Sequence, residues 1–417
     1  MRSTFLSLII CLFLGLLSIP AHACTVFSAA QDNIVLGAAN KDWDNLETRA
    51  LFIAPSEGKY GHVYFGYQIP EGFQNAGGMN DQGLWYDGAT LPERNDIHNH
   101  HNKPTVKGEL CEKALEECAT VDEVIALYAR YHTPHWQGHS MWADRMGNSV
   151  IIEYGDDDVV FLHKQNTFQV MTNHYLSDTV NTRWYNCYRY NLATDLLENS
   201  NTVSINSLRS VLDAVHQSGI PPTVYSNIYD LKNGKIYVHN FHNYDESLIF
   251  DIQLEMDAGG AYYKLPEMFQ QIWLRHPVQN IEVDPSEVEF NWNGEAESYT
   301  LTISKDSTFS EEFIAINIDN QEENQSLILF GAVVFSGLLL VGFTKKANWT
   351  SLLIIVLYTW LVACSIEGII SPYEPSDKEY TQLIYSLEPD QQYYWKISTE
   401  VEPGIVCESI TQNFKTI

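Results

Sequence analysis

Short stretches in which hydrophobic residues cluster or alternate with polar ones recur along the chain after residue 24, and they predict strands. Clusters of Gly, Asn and Asp separate these stretches and predict turns. The first four predicted strands lie at residues 25–27, 34–36, 51–53 and 63–65.

Helical spacing of hydrophobic residues appears in pairs of segments. The first helix of the first pair covers residues 106–118. The second helix begins at a capping box formed by Thr120–Glu123. The second pair covers residues 184–198 and 205–216, and strands follow each pair. Strands that alternate with pairs of helices predict an α+β fold with antiparallel sheets covered by helices.

The N-terminus has the pattern of a secretory signal peptide. Arg2 precedes an apolar run, Phe5–Ile19, and the small residues around Ala23 form a cleavage site. We therefore expect residues 1–23 to be removed and the protein to be exported. Cys24 would then be the first residue of the mature chain.

Two further apolar segments, residues 327–343 and 352–366, are joined by a short linker that holds Lys345 and Lys346. Each segment is near the lower limit of about 17 residues for a membrane-spanning helix. The pattern predicts a transmembrane hairpin with its basic loop in the cytoplasm, which would anchor an extracytoplasmic catalytic domain to the cell membrane. The alternative is a buried helical hairpin.

Short predicted strands flank this hairpin, from residue 288 to residue 318 and from residue 383 to residue 414. The run Leu387–Ile397 resembles the late strands of a fibronectin type III module, and Asn291–Asn293 resembles its early tryptophan strand. The resemblance implies a β-sandwich over residues 276–417 that the hairpin interrupts. The domain before it would span residues 24–275.

The strongly negative net charge of the chain limits the kinds of molecule that it can bind. Lys and Arg number 24 against 53 Asp and Glu, giving a net charge of −29. Proteins that bind nucleic acids need a basic surface, so nucleic-acid binding is excluded. Hydrophobic residues make up 45% of the chain, which is typical of folded domains.

A mature N-terminal Cys24 would combine two catalytic groups. The thiol is a nucleophile, and an α-amine with an ordinary pKa of about 7.7–8.0 accepts its proton and later protonates a leaving nitrogen. The alternative is lipidation of Cys24, which would make the chain a surface lipoprotein or binding protein.

Five motifs follow one another along the chain: Cys24–Phe27, Gly37–Trp43, Gly78–Leu84, Ala143–Glu153 and Val170–His174. In their order and spacing they resemble the N-terminal-nucleophile (Ntn) linear amide C–N hydrolases, the choloylglycine hydrolase and penicillin V acylase family. The resemblance implies a four-layer αββα sandwich and a cysteine amidase that cleaves a small acyl amide through an S-acyl enzyme, with no cofactor or metal. An amine acceptor would make the same site an acyltransferase.

The same resemblance implies roles for individual residues. Cys24 is similar to the family nucleophile, and Asp42 to the aspartate that holds the α-amine, with Asp44 as the alternative. Asn173 is similar to the asparagine whose amide binds the oxyanion, a donor that stabilises charge formed in the transition state.

The chain departs from the family pattern at two points. Ala39 stands where the family has an arginine, and Lys41 is the nearest cation. Thr90 stands where a second asparagine is usual, and both changes argue against bile-salt and penicillin substrates. The late arginine of the family corresponds to Arg183, with Arg189 as the alternative.

Histidines and aromatic residues offer weaker candidates. Histidines at 98, 100 and 101 lie in a polar loop without carboxylates at ligand spacing, so a solvated loop is favoured over a metal site. The α-amine makes a Cys–His pair with His139, His163 or His174 unnecessary. The aromatic residues expected in the core or in an apolar acyl pocket are Trp43, Trp85, Tyr86, Trp136 and Trp142.

Overall fold

The computed structural model describes residues 24–93, 103–132, 137–155, 159–177, 187–310, 312–319, 376 and 378–417. The expected signal peptide and both expected membrane segments, residues 327–343 and 352–366, lie outside these ranges. Within them the chain is mostly strand.

The strands and helices have the following bounds. The strands are β1 (Thr25–Gln31), β2 (Ile34–Asp42), β3 (Thr48–Ile53), β4 (His62–Ile69), β5 (Gly72–Asn80), β6 (Trp85–Thr90), β7 (Gly138–Ala143), β8 (Ser149–Tyr154), β9 (Val159–His163), β10 (Phe168–Met171), β11 (Thr223–Asp230), β12 (Lys235–Asn240), β13 (Asn243–Asp251), β14 (Gly260–Lys264), β15 (Trp273–His276), β16 (Ile281–Val283), β17 (Glu287–Asn293), β18 (Ser298–Ser304), β19 (Glu312–Asp319), β20 (Glu379–Tyr385), β21 (Gln392–Glu402), β22 (Ile405–Ser409) and β23 (Gln412–Thr416). The helices are α1 (Leu110–Glu117), α2 (Val121–Arg130), α3 (Tyr188–Glu198), α4 (Ile205–Ala214) and α5 (Ile252–Asp257).

Two large sheets hold most of these strands. The first runs in the order β10-β1-β2-β11-β12-β13-β22-β21-β18-β19, with β16 and β23 attached beside β21. The second runs β14-β3-β4-β5-β6-β7-β8-β9, and β15, β17 and β20 form a small third sheet. Apart from the parallel pair of β16 and β23, the neighbouring strands are antiparallel.

The two large sheets pack face to face, and pairs of helices cover their outer faces. Val26 of β1 and Trp85 of β6 belong to the buried cluster between the sheets. Phe27, the next residue along β1, lies instead in the cluster beneath α3 and α4. Because successive strand residues face opposite sides, both faces of β1 are buried, and Thr25–Ala29 are all buried. On the second sheet, Tyr86 packs under α1 and α2.

The capping box predicted for α2 is confirmed. The Thr120 hydroxyl accepts a hydrogen bond from the Glu123 N–H at 3.3 Å, and the Glu123 carboxylate accepts one from the Thr120 N–H at 3.0 Å. This reciprocal pair satisfies two N–H groups that the start of a helix leaves without partners.

The predicted fold class is wrong in its balance of helices and strands, and no described helix supports the membrane hairpin. Helices form a small part of a mainly β structure. The longest described helix, α3, has 11 residues and is about 16 Å long at 1.5 Å per residue, against a hydrocarbon core of about 30 Å. Among the helices within the described ranges, none has the length and apolar character to cross a membrane.

Of the strands expected to form a separate fibronectin-like sandwich, β18, β19, β21 and β23 instead continue the first sheet, whereas β17 and β20 lie in the small third sheet. β22 pairs with β13, with Leu248 opposite Cys407, and β21 and β18 follow in the same sheet. Phe250 of β13 and Trp395 of β21 belong to one buried cluster. The boundary at residues 275 and 276 remains a prediction, but the backbone hydrogen bonds cross it.

A buried carboxylate on β13 stabilises the pairing of β13 with β22. Glu246 of β13 accepts hydrogen bonds from the Cys407 thiol and from the Gln270 N–H, both at 2.8 Å, and from the Asn243 amide at 3.3 Å. Burial raises the pKa of Glu246 to about 7, although these hydrogen bonds oppose the shift. Removing the acceptor would leave several buried donors without a partner.

We predict that Glu246→Ala lowers the free energy of unfolding by about 3 kcal/mol, because buried donors would lose their acceptor. Glu246→Gln, which keeps an acceptor oxygen and the shape, should cost about 1 kcal/mol. Urea denaturation followed by circular dichroism measures both. Equal stability of the alanine variant and the wild type would contradict the role given to this carboxylate.

Candidate active site

Strand register places the backbone of Cys24 beside Asn173. β1 and β10 pair with Val26 opposite Met171, and continuing this antiparallel register by two residues brings Cys24 opposite Asn173. The Cys24 N–H donates a hydrogen bond to Asn173 Oδ1 at 2.8 Å. The start of β1 is therefore anchored to the segment that follows β10.

The orientation of the Asn173 amide is determined by its other partners. Its Oδ1 also accepts from Arg189 Nη2 at 3.0 Å, and its Nδ2 donates to the Thr90 carbonyl at 2.9 Å. A guanidinium can only donate and a carbonyl can only accept, so the amide cannot be reversed. The structure thus gives Asn173 the task of holding the Cys24 nitrogen. Its role as an oxyanion donor remains a prediction.

Arg189 is the arginine that reaches Cys24. It lies in the first turn of α3 and donates to the Cys24 carbonyl at 2.7 Å and to the Thr25 hydroxyl at 2.8 Å. Its Nη1 lies 3.5 Å from Asp42 Oδ2. Arg183, the preferred sequence candidate, lies outside the described residues, and its role remains a prediction.

Asp42 is buried at the end of β2, whereas the alternative, Asp44, is exposed. β2 and β11 pair with Asp42 opposite Thr223, whose hydroxyl donates to Asp42 Oδ1. Burial raises the pKa of Asp42 to about 7, against the effects of the Arg189 charge and the Thr223 hydroxyl. The Asp42 carboxylate is connected to the Cys24 backbone through the Arg189 guanidinium, and its role in holding the α-amine remains a prediction.

A second buried charge pair lies beside the thiol. β1 and β2 pair with Thr25 opposite Asn40, so the next pair along places Lys41 opposite Cys24. The Lys41 ammonium forms an ion pair with Asp87 of β6, in the facing sheet. It also donates to the Ala76 carbonyl at 2.8 Å and the Gly88 carbonyl at 3.3 Å.

The thiol itself is held in its protonated form. Burial raises the pKa of Cys24 to about 11, and the charge of Lys41 is the largest effect that opposes the shift. The charge of Asp42 raises the pKa further, while a hydrogen bond from the Asp42 backbone lowers it. A base must therefore remove the thiol proton during any nucleophilic attack at neutral pH.

A buried histidine and glutamate support the segment that carries Asn173. His139 bridges Glu153, at 2.9 Å from Nδ1, and the Thr172 carbonyl, at 2.6 Å from Nε2. The Glu153 carboxylate also accepts from the N–H groups of Leu176 and Ser177. From the sequence, His139 is a candidate only as the partner of a catalytic cysteine. In the structure it is buried because it connects Glu153 to the Thr172 carbonyl.

Another thiol lies close to this segment. Cys187 caps the start of α3 and accepts a hydrogen bond from the Thr172 hydroxyl at 3.4 Å. Burial acts to raise its pKa, but hydrogen bonds with His174, Thr172 and the Tyr190 backbone and the charge of Arg189 together lower the pKa to about 6.

A cavity of about 680 Å³ opens beside Cys24 and extends to the start of α1. Of its described lining residues, the charged ones are Lys41, Glu109 and Glu112. Its wall is rich in aromatic side chains, among them Trp43, Tyr67, Phe73, Tyr86, Tyr128 and Tyr154.

Two of the aromatic residues considered in the sequence therefore line the cavity, and two do not. Trp43 and Tyr86 are in its wall, whereas Trp85 and Trp142 are fully buried core residues. Trp136 lies outside the described residues, as do the histidines at 98, 100 and 101.

Three solved structures are similar to this one. Penicillin V acylase from Agrobacterium tumefaciens is 20% identical over 52% of this chain and 82% of its own, with a TM-score of 0.44. Two variants of conjugated bile acid hydrolase from Clostridium perfringens are 14% and 15% identical over 57% and 58% of this chain and 96% and 97% of theirs, with TM-scores of 0.46 and 0.47. No family model and no curated protein matches the sequence. The expected resemblance is confirmed.

Asp87 of the site is not predicted by the sequence, because its partner Lys41 lies 46 positions away on the facing sheet. Arg189 is indicated by the sequence only as the alternative to Arg183.

The raised pKa of Asp42 predicts a pH-dependent stability. The unfolded chain loses this proton near the ordinary pKa of about 3.8, whereas the folded protein holds it to about pH 7. The stabilising contribution is thus complete below pH 3.8 and is lost as the pH rises through 7.

We expect Asp42→Asn to flatten the fall in unfolding free energy between pH 4 and 7, by at most about 1.4 kcal/mol per pH unit. Urea denaturation at four pH values measures the slope. Asp44→Asn, the same change at an exposed position, is the matched control and should keep the wild-type slope. A wild-type slope in Asp42→Asn would show that Asp42 does not hold the proton.

Proposed function

We propose that this protein is a cysteine amidase that hydrolyses a linear acyl amide through an S-acyl enzyme. In this proposal the chain is exported, and removal of residues 1–23 frees the α-amine of Cys24. The observation that carries the proposal is the placement of Cys24, whose nitrogen is held 2.8 Å from Asn173 Oδ1 while the residue lines a large cavity.

The α-amine supplies the base that the buried thiol requires. Asn173 accepts one N–H of the amine, which leaves the nitrogen lone pair available to take the thiol proton. Arg189 fixes the carbonyl of the same residue at 2.7 Å, so the nucleophile and its base are both held against movement. Such fixed geometry reduces the entropic cost of the attack.

The reaction then proceeds in two halves. Sulfur bonds to the amide carbon, and the carbonyl oxygen takes the negative charge. The C–N bond breaks as the ammonium returns its proton to the leaving nitrogen, and the amine departs. Water, deprotonated by the same amine, attacks the thioester, which releases a carboxylic acid and regenerates the thiol. Asn173 would contribute to the oxyanion site only by turning one amide N–H from Thr90 to the substrate.

We predict that Cys24→Ala reduces the hydrolysis of acyl amides to background, because it removes the nucleophile. Cys24→Ser should lose at least about a hundredfold, since a hydroxyl is far harder to deprotonate than a thiol. Release of amine from a panel of N-acyl amides measures turnover, and thermal unfolding confirms that each variant folds. Full activity in the alanine variant would eliminate the mechanism.

The intact mass of the mature N-terminus is the matching chemical test. A free Cys24 amine at the first position is required, and an acylated Cys24 would establish a lipoprotein instead. Adding hydroxylamine or an amine during turnover distinguishes hydrolysis from acyl transfer, since a transferase forms the new amide in preference to the acid.

The cavity favours an uncharged, apolar acyl group. The thioester retains the acyl group beside Cys24 after the amine departs, so the enclosed cavity is suited to that part of the substrate. Within the described part of the wall, the cation Lys41 already donates to Asp87, Ala76 and Gly88, and the other charges, Glu109 and Glu112, are negative. A buried carboxylate on the acyl chain would find no compensating charge there.

We therefore expect the hexanoyl amide of aminomethylcoumarin to be cleaved with a kcat/KM at least about tenfold above that of the amide whose six-carbon acyl chain ends in a carboxylate. The two substrates share a leaving group and a chain length, so only the terminal charge differs. Coumarin fluorescence measures both. A preference for the carboxylate would contradict the acyl pocket assigned to this cavity.

A further inference from the structure

The ion pair of Lys41 and Asp87 is buried between the two sheets, with the side chains 3% and 1% exposed. A buried ion pair is commonly no more stabilising than two apolar side chains of similar volume. Packing alone therefore does not account for this pair. Its position beside the candidate nucleophile suggests an electrostatic role.

The ammonium of Lys41 is fixed in place. Its three protons are directed to Asp87 Oδ1 and to the carbonyls of Ala76 and Gly88. Asp87 is itself buried, and its other oxygen lies so close to Gly77 that a Cβ at that position would collide with it. Lys41 cannot therefore swing toward a substrate, and its charge remains at one point.

The Lys41 and Cys24 side chains start from facing positions on neighbouring strands. Register places Lys41 opposite Cys24, and directly opposed side chains of an antiparallel pair have Cβ atoms about 4.5–5.5 Å apart. Both residues line the same cavity. Lys41 lowers the pKa of the thiol by more than Asp87 raises it, so the cation dominates the effect of the pair on sulfur.

We propose that Lys41, held by Asp87, is a positioning residue whose ammonium stabilises the Cys24 thiolate as the thiol proton leaves. Lys41 itself transfers no proton, because the thiol proton moves to the α-amine. An opposite charge within about 4–6 Å favours the ionised form of a group, and the effect is strong where water is excluded. This inference rests on the proposed function, in which Cys24 is the nucleophile.

The test is the reactivity of the thiol, which requires no substrate. The rate at which iodoacetamide alkylates Cys24 at pH 8 follows the fraction of thiolate, and peptide mass spectrometry assigns the label to each cysteine. In Lys41→Met/Asp87→Asn, which removes both charges and keeps the volumes, we expect Cys24 to react roughly tenfold more slowly, one pKa unit. Lys41→Arg, which keeps the charge, should retain the wild-type rate within about threefold.

Cys187 serves as an internal control. Its low pKa arises from hydrogen bonds with His174, Thr172 and the Tyr190 backbone and from the charge of Arg189. None of these residues is changed, so its alkylation rate should be the same in all variants. Lys41→Gln, whose amide still donates to Asp87, is a second variant in case the double variant does not fold, and the same slowing is expected. A wild-type rate at Cys24 in either folded variant overturns the inference.

Failure of this inference differs from failure of the proposed function. An unchanged alkylation rate would remove the role of Lys41 and leave the amidase proposal standing. Acyl-amide turnover that persists in Cys24→Ala would end the amidase proposal and leave the measured effect of Lys41 on the thiol unchanged.

Discussion

The register of β1 between β10 and β2 is the constraint on which the candidate site depends. One neighbour places Asn173 beside the Cys24 nitrogen, and the other places Lys41 beside its side chain. Because facing residues in a strand pair alternate sides, a shift of β1 by one residue would turn the thiol from the cavity to the helix layer. Val26 and Phe27 are buried on opposite faces of β1, and their burial resists such a shift. Packing of the core therefore keeps the Cys24 thiol on the side of the cavity.

The same burial determines how charge is arranged around the thiol. Two cations and two carboxylates are removed from water there, and each is matched: Lys41 with Asp87, and Arg189 with Asp42. The charge of Lys41 does not fully offset burial of the thiol, so the thiol remains protonated. The proposed attack therefore requires a base, which in our proposal is the α-amine of the same residue.

Local features of this protein could be predicted from its sequence, and features that join distant segments could not. The capping box at Thr120 involves adjacent residues, and the resemblance that led to Asp42 and Asn173 used short motifs around each one. The choice between Arg183 and Arg189 depends on where a helix begins and which side faces the sheet. The pairing of Lys41 with Asp87 depends on the stacking of two sheets, and the apolar runs that predicted a membrane hairpin do not lie among the described helices.

The C-terminal strands contribute to the site although none of them reaches it. Without β22, strand β13 would be a sheet edge with unpaired backbone groups, close to the strands that carry Asp42 and Thr223. The pairing of β22 with β13 removes that edge, and the Glu246 carboxylate attaches the connection to Cys407. The position of Cys24 depends on a rigid ladder from β10 through β2 and β11 to β13, so the segment after residue 276 stabilises the register from the far side.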